Sequence, residues 1–307
     1  MNTKNPLASF CLFTYNQKNF IEEAIEAAFS QTYTNLEIII SDDFSTDGTR
    51  EIISRMVENY SGSHKVIVNY NQKNLGLAQH VNKILYQIVT GEYVFLAAGD
   101  DISLPFRVEK TVAFYRAHTD IVATGSNLRE INHLSVESNS QKFKIKEHAV
   151  YDLNYYLSSF YEHLYGCTRS FAKSVIDAFP PLDANCPTED TPLLFRAFLI
   201  NRKVGFLEEI MVKYRIHGDN ISSPVNIRKM NVNAIFAQYD RDLKHALQKK
   251  FISKEEFRNL KKVLKDRKNI RLGNVSFSNR LRAKCYFILN EIKKSFKRSE
   301  NFNGQKN

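Results

Sequence analysis

The first 130 residues alternate short apolar runs with segments whose apolar positions recur at helical spacing. "LASFCLF", "LEIII", "KVIVNY", "EYVFLAA" and "DIVATGS" are short, rich in β-branched and aromatic residues, and predict five strands. Between them, Ile21, Ala24, Ile25 and Ala28 share one helical face, with Asn19 and Glu22 spaced as a capped helix start. Ile52, Ile53, Met56 and Tyr60 mark a second helix, and Ala78, Val81, Leu85 and Ile88 a third. Pro105, a residue favoured in a first helical turn, opens a fourth. This alternation predicts an α/β fold with a mostly parallel sheet flanked by helices. Such a sheet binds ligands beyond the carboxyl ends of its strands.

Residues 132–165 break the rhythm with a polar excursion, a loop or a hairpin, followed by the aromatic-rich "YYLSSFYEHLYG". From Pro224 onward the pattern is helical and rich in lysine. Charge follows the same division. The 307-residue chain carries a formal +10, with 43 Lys+Arg against 33 Asp+Glu. Residues 224–307 hold 22 of those bases and 7 of the acids, a net of +15, which leaves −5 for residues 1–223. A basic segment of this kind suits phosphate-bearing partners such as nucleic acid or an anionic bilayer. The four cysteines are far apart and lack metal-ligand spacing, which predicts free thiols. There is no apolar run long enough to span a bilayer and no secretory signal pattern, so the expected compartment is the cytosol.

Candidate chemistry gathers at the ends of predicted strands. Asp42 and Asp43 follow "LEIII", and Asp100 and Asp101 follow "EYVFLAA". Asp47, just before Gly48, reads as a turn residue. Adjacent carboxylates at the end of a buried strand repel each other unless a cation is bound, and Mg²⁺ or Mn²⁺ with phosphate oxygens fits that need. Neither GxGxxG nor GxxxxGK[ST] is present, which argues against a dinucleotide fold or a P-loop. "TED" at 188–190 introduces a helix with Leu193, Leu194 and Ala197 on its apolar face, where the acids serve equally well as helix caps. His217 follows an apolar run ending in Tyr214 and reads as structural or as a ligand.

"FTYNQKNFIEEAIEAAFSQTYTNLEIIISDDFSTDGT", "NLGLAQHVNKIL", "AAGDD", "TED" and "YRIHGDNIS" occur in that order. In this series the chain resembles the family 2 inverting glycosyltransferases of GT-A fold over roughly residues 6–223. The lysine-rich helical pattern predicts a basic helical extension over 224–307, and the resemblance implies a nucleotide-binding part to about residue 130 and an acceptor part over 131–223. It implies that Asp43 contacts the base of a sugar nucleotide, with Asp42 supporting that loop. Thr14, Asn74 and Gly76 would lie along the nucleotide, with Asp100 near the ribose. Asp101 would ligate Mn²⁺ or Mg²⁺ on the diphosphate, His217 would join it at metal or phosphate, and Arg215 would add charge there. Asp190 matches the general base. Ala98 stands where the family often has an acid, and Phe13 where proline is common.

The implied reaction moves a sugar, from a UDP-sugar foremost, to a hydroxyl of a glycan or lipid-linked oligosaccharide in cell-surface polysaccharide synthesis. Two other readings compete with it. One is a basic nucleic-acid-binding protein that uses the sheet as a scaffold. The other is a catalytically silent nucleotide-binding partner, which the intact set of Asp43, Asp101 and Asp190 argues against. In "CYFILNEIKKSF" Tyr286, Phe287, Leu289 and Phe296 form one side of an amphipathic helix. That helix lies peripherally on the inner face of the membrane, packs on the core or pairs two copies of the chain, and the sequence leaves these open.

Overall fold

The computed structural model describes residues 5–141, 148–158, 165–200, 203–218 and 220–273. The amphipathic helix expected within 275–307, and Cys285 with it, lie outside the described residues.

The predicted order is realised as β1 (Ala8–Thr14), α1 (Ile21–Phe29), β2 (Leu36–Asp42), α2 (Thr49–Glu58), β3 (Lys65–Tyr70), α3 (Leu77–Gln87) and β4 (Tyr93–Ala98). A two-residue strand, β5 (Ile102–Ser103), precedes α4 (Arg107–Ala117) and the long β6 (Ile121–Ile131). The polar excursion is a hairpin in part: β7 (Glu137–Gln141) returns antiparallel on β6. Then come β8 (Ala149–Tyr151), α5 (Leu153–Ser158), β9 (Ser170–Ala172), α6 (Lys173–Asp177), α7 (Asp190–Leu199) and β10 (Lys203–Arg215). Three helices follow: α8 (Pro224–Lys229), α9 (Val232–Gln248) and α10 (Lys254–Arg271). Two helix starts differ from expectation. Phe20, not Asn19, caps α1 without a side-chain bond, and α4 begins two residues after Pro105.

The sheet runs β3-β2-β1-β4-β9-β6-β10-β5. Pairing is parallel from β3 to β4 and between β6 and β10, whereas the short β9 is antiparallel to both its neighbours. The unbroken apolar runs of β1, β2 and β4 have a simple origin. Phe10, Leu12, Ile38, Ile40, Phe95 and Ala97 face one core, while Cys11, Ile39, Val94 and Leu96 face the other, so each strand is buried on both sides. One layer holds α1, α2 and α4, and the other α3, α6, α7 and the apolar faces of α9 and α10.

The C-terminal helices join this second layer through a buried ion pair. Arg196 on α7 and Asp242 on α9 are essentially inaccessible and meet through two hydrogen bonds of 3.0 and 2.9 Å. Gln238 Nε2 donates to the same carboxylate at 2.9 Å, and Arg196 also donates to the Tyr86 hydroxyl at 3.0 Å. Satisfying the charge on both sides is what makes such burial tolerable.

Candidate active site

Parallel register brings the carboxyl ends of β1, β2 and β4 to one edge. Thr14 lies opposite Asp42, and Phe13 opposite Ala98. Asp43 N–H donates to Thr14 O at 3.0 Å, and Gly99 N–H donates to Phe13 O at 2.8 Å. Asp42 and Asp100 therefore flank the same strand end.

Asp42 is fully buried. Its Oδ1 accepts from Ser45 N–H at 3.0 Å and from Arg50 Nε at 2.5 Å. Its other oxygen, Oδ2, has no hydrogen-bond partner among the described residues, and the same holds for Thr14 Oγ1 and Gln17 Oε1. The last two belong to one corner, because a Cβ on Gly99 would stand 2.5 Å from Gln17 Oε1 and 2.9 Å from Thr14 Oγ1, and Thr14 lies opposite Asp42 in the sheet. Buried polar atoms without a protein partner are costly and call for a water, an ion or a polar ligand. Gln17 has no role in the sequence reading, although it lies within the quoted "FTYNQKNF".

Asp43 secures the turn before α3. Its Oδ1 accepts from Asn71 Nδ2 at 2.8 Å and Leu75 N–H at 2.9 Å, and its Oδ2 from Gly76 N–H at 3.0 Å. Asn74 Oδ1 accepts from the same Gly76 N–H at 2.9 Å, and Gly76 holds a φ of +75°, a conformation costly for a side-chain-bearing residue. Beneath lies a buried polar network in which His80 Nε2 bonds Ser41 Oγ and Lys83 Nζ donates to Asn71 Oδ1. Burial pushes the His80 imidazole below its usual range, against the opposing pull of Asp43 and Asp42.

Asp100 and Asp101 meet the end of β10. Arg215 N–H donates to Asp101 Oδ1 at 2.9 Å, His217 Nε2 bonds Asp100 Oδ2 at 2.9 Å, and Asn220 Nδ2 donates to Arg215 O at 3.0 Å. The Arg215 side chain is not open to a ligand. It is fully buried, donates to Asp100 O, Asn132 O and Ser135 Oγ, and pairs with Glu23 at 3.3 Å under the Phe20 ring. Burial, with the neighbouring Asp100 charge, pushes the Asp101 carboxyl well above the usual carboxylate range.

Among the described residues no three His, Cys, Asp or Glu side chains converge as a self-sufficient metal site. The donor set nonetheless fits a hard divalent cation that draws its remaining ligands from phosphate. Two adjacent carboxylates, one of them kept high by burial and by the other's charge, are the groups such a cation would relieve.

Asp190 is the first residue of α7. Its Oδ1 accepts from Thr188 Oγ1 and from Thr191 N–H, both at 2.6 Å, while Oδ2 lies 3.4 Å from Arg169 Nη1. Gly166 fits beneath it, since a Cβ there would stand 2.5 Å from Asp190 Oδ2. The adjoining Cys167 thiol is pushed well up by burial and by the Asp101 charge, and it also feels Asp100 and Arg169. Cys167 follows Gly166 in the chain, so the segment that packs against Asp190 also carries the thiol that feels Asp101. Burial and the Asp190 charge raise Glu189 to about 7. Gly166 and Arg169 have no role in the sequence reading, which took Cys167 only as a free thiol and Glu189 only as a helix-cap candidate; Glu189 stands at the cap position of α7 without a side-chain bond. Only Arg169, a charge just before the apolar "SFA", carries a local hint.

The fold thus gathers Thr14, Asp42, Asp43, Asn74 and Gly76 on one side of the β1 end and Asp100, Asp101 and His217 on the other, while Asp190 packs over Gly166 and Arg169 at the start of α7.

Comparison with known proteins bears on the family and the fold. The model of Glycosyl transferase family 2 matches residues 9–176. EpsE of Bacillus subtilis strain 168, named as a glycosyltransferase, is 40% identical over 122 residues, covering 39% of this chain and 43% of EpsE. The match thus spans less than half of that relative's length. Among solved structures, residues 1–349 of S. aureus TarS in complex with UDP superpose with a TM-score of 0.58 at 19% identity, covering 76% of this chain and 65% of that fragment. Mannosyltransferase PcManGT from Pyrobaculum calidifontis, in complex with GDP-Man and Mn²⁺, gives 0.56 at 14% identity over 98% of this chain and 84% of its own. At these identities the structural likeness shows the fold, which is GT-A-like as the sequence led us to expect. The family model matches more than half of the chain, and with it the chain belongs to Glycosyl transferase family 2 and is a glycosyltransferase.

Proposed function

We propose that this enzyme transfers a sugar, with inversion, from a nucleoside diphosphate donor, a UDP-sugar foremost, to a hydroxyl of a glycan or lipid-linked acceptor in surface polysaccharide synthesis. What supports the reading is the gathering of three carboxylate groups from β2, β4 and α7 at one sheet edge, with three unpartnered polar atoms beside them. The nucleotide lies along Thr14, Asn74, Gly76 and Asp100, and its base takes the remaining acceptor capacity of Asp43. Asp42 holds the loop between them through Ser45 and Arg50.

Asp190 Oδ2 takes the proton of the acceptor hydroxyl. As it does so, the acceptor oxygen bonds to the anomeric carbon from the face opposite the diphosphate. The bond from that carbon to the diphosphate breaks, and its electron pair leaves with the diphosphate. Thr188 Oγ1 and Thr191 N–H anchor the other oxygen, Oδ1, so the carboxylate is oriented before substrate arrives. A divalent cation held by Asp101, with Asp100 and His217 beside it, would neutralise the charge that grows on the departing diphosphate. No covalent enzyme intermediate is needed.

The test is calorimetric titration of the protein with UDP, GDP and dTDP, each with and without Mn²⁺, alongside Asp101→Ala. The expected result is cation-dependent binding of one nucleotide that the variant loses. A folded protein that binds none of the three refutes the proposal.

A further inference from the structure

The described residues contain ten exposed large hydrophobic side chains, and six of them sit on the turn after β6 and the segment after β10, next to Asp100 and Asp101. Leu134 and Val136 occupy the turn between β6 and β7, with 69% and 60% of their surface accessible. Ile216, Ile221, Val225 and Ile227 lie on the strap from the end of β10 through α8, and Ile221 and Val225 are 58% and 61% accessible. Single exposed apolar residues are ordinary on any protein surface. A concentration beside the site is not.

The two loops are one surface, because the same buried side chain ties them together. Arg215 donates through Nη1 to Asn132 O at 3.2 Å and to Ser135 Oγ at 2.9 Å, and Ile216 N–H donates to Ile131 O at 2.8 Å. The strap is itself pinned down, with Asn226 Nδ2 donating to Asn220 O at 2.9 Å and Asn220 Nδ2 to Arg215 O at 3.0 Å. Its apolar residues are therefore held outward on a fixed frame that starts at Asp100 and His217.

Charge selects the occupant. Exposed Arg228 and Lys229 follow Ile227 directly, and the chain from Pro224 onward carries 22 Lys+Arg against 7 Asp+Glu. We propose that this apolar, basic lip docks on the surface of an anionic phospholipid bilayer, sinking Ile221, Val225 and Ile227 to the acyl boundary while Arg228 and Lys229 meet headgroup phosphates. A second copy is the poorer partner, because a two-fold interface would bring these bases against their own kind. The inference deepens the proposed function: seated this way, the opening at Asp100 and Asp190 faces an acceptor carried at the bilayer surface.

The test is flotation of the full chain with vesicles of phosphatidylglycerol and phosphatidylcholine, or of phosphatidylcholine alone. Ile221→Ser/Val225→Ser/Ile227→Ser and Arg228→Gln/Lys229→Gln are run beside the unchanged chain, with UDP and Mn²⁺ titration of each as the control for the nucleotide site. Binding that requires phosphatidylglycerol and weakens by about tenfold or more in each variant, with nucleotide affinity intact, supports the lip. Equal flotation of both variants and the unchanged chain overturns it, as does an unchanged chain that never floats. A dimer in sedimentation that the triple variant dissociates, without vesicle binding, overturns it too and gives the surface to a second copy. Lipid binding by a chain that binds no nucleotide would leave the lip standing and remove the donor assignment.

Discussion

Gly166→Ala tests whether the Asp190 carboxylate is the reacting base. The added methyl would stand 2.5 Å from Asp190 Oδ2 and 3.1 Å from both Cβ and Cγ of the same side chain, where ordinary contact begins at 3.4 Å. The deficit at the oxygen, 3.4 less 2.5, is 0.9 Å. The carboxylate cannot swing away freely, because Thr188 and Thr191 hold its other oxygen at 2.6 Å. Relief therefore moves the whole group, or breaks one of those bonds. A displacement of ~1 Å at a reacting group lowers the rate by about 100-fold. Nothing in the substitution touches Asp43 or the turn at Asn74 and Gly76. The assay compares kcat for sugar transfer at saturating donor and acceptor with the nucleotide Kd from calorimetry. The expected pattern is kcat down by about 100-fold with nucleotide affinity within about twofold of the unchanged enzyme, the mark of an interaction made in the transition state. An unchanged kcat would refute the assignment of Asp190, and a parallel loss of nucleotide binding would refute the separation of the two halves of the site.

Two further outcomes follow from the same structure. Asp242→Ala leaves the inaccessible Arg196 guanidinium without its paired carboxylate and should lower unfolding stability by about 3–5 kcal/mol in denaturant titration. A loss under ~1 kcal/mol would mean that α9 is not anchored through this pair. Glu189 is raised from 4.5 to about 7 by burial and the Asp190 charge, so the folded state holds this proton more tightly than the unfolded chain does. Its contribution to stability is full below 4.5 and is lost as pH rises through about 7. Glu189→Gln should flatten that part of the stability–pH curve, measured as urea midpoints between those limits, and an unchanged slope would disprove the coupling.

Much of the architecture can be read directly from residue order. Strands buried on both faces must be apolar throughout, and helices packed on one side must repeat at helical spacing, so β1 to β4 and α1 to α3 are visible as local patterns. The acid pairs at the ends of β2 and β4 are visible too, because a parallel sheet puts every strand's carboxyl end at the same edge. Helix ends were less legible: α1 starts at Ile21, capped by Phe20 without the expected side-chain bond, while Ile21 and Ile25 pack into the core.

The tertiary structure decided which groups meet across long separations. Arg215 reaches Asp101 from 114 residues away and His217 reaches Asp100 from 117, because β10 lies between β6 and β5 in the sheet. No local periodicity encodes that neighbour relation. Arg215, expected from the resemblance to add charge at the diphosphate, is instead a buried tie between α1, the turn after β6 and the Asp100/Asp101 pair. Gly166 is featureless in the sequence, and its meaning appears only when α7 brings Asp190 into the space a Cβ would fill. Residue order determines which segments are strands and helices and which strand ends carry acids, through periodicity and burial. The close contacts that orient those acids are set by topology, because hydrogen bonds and steric fit act only between groups the completed fold has made neighbours.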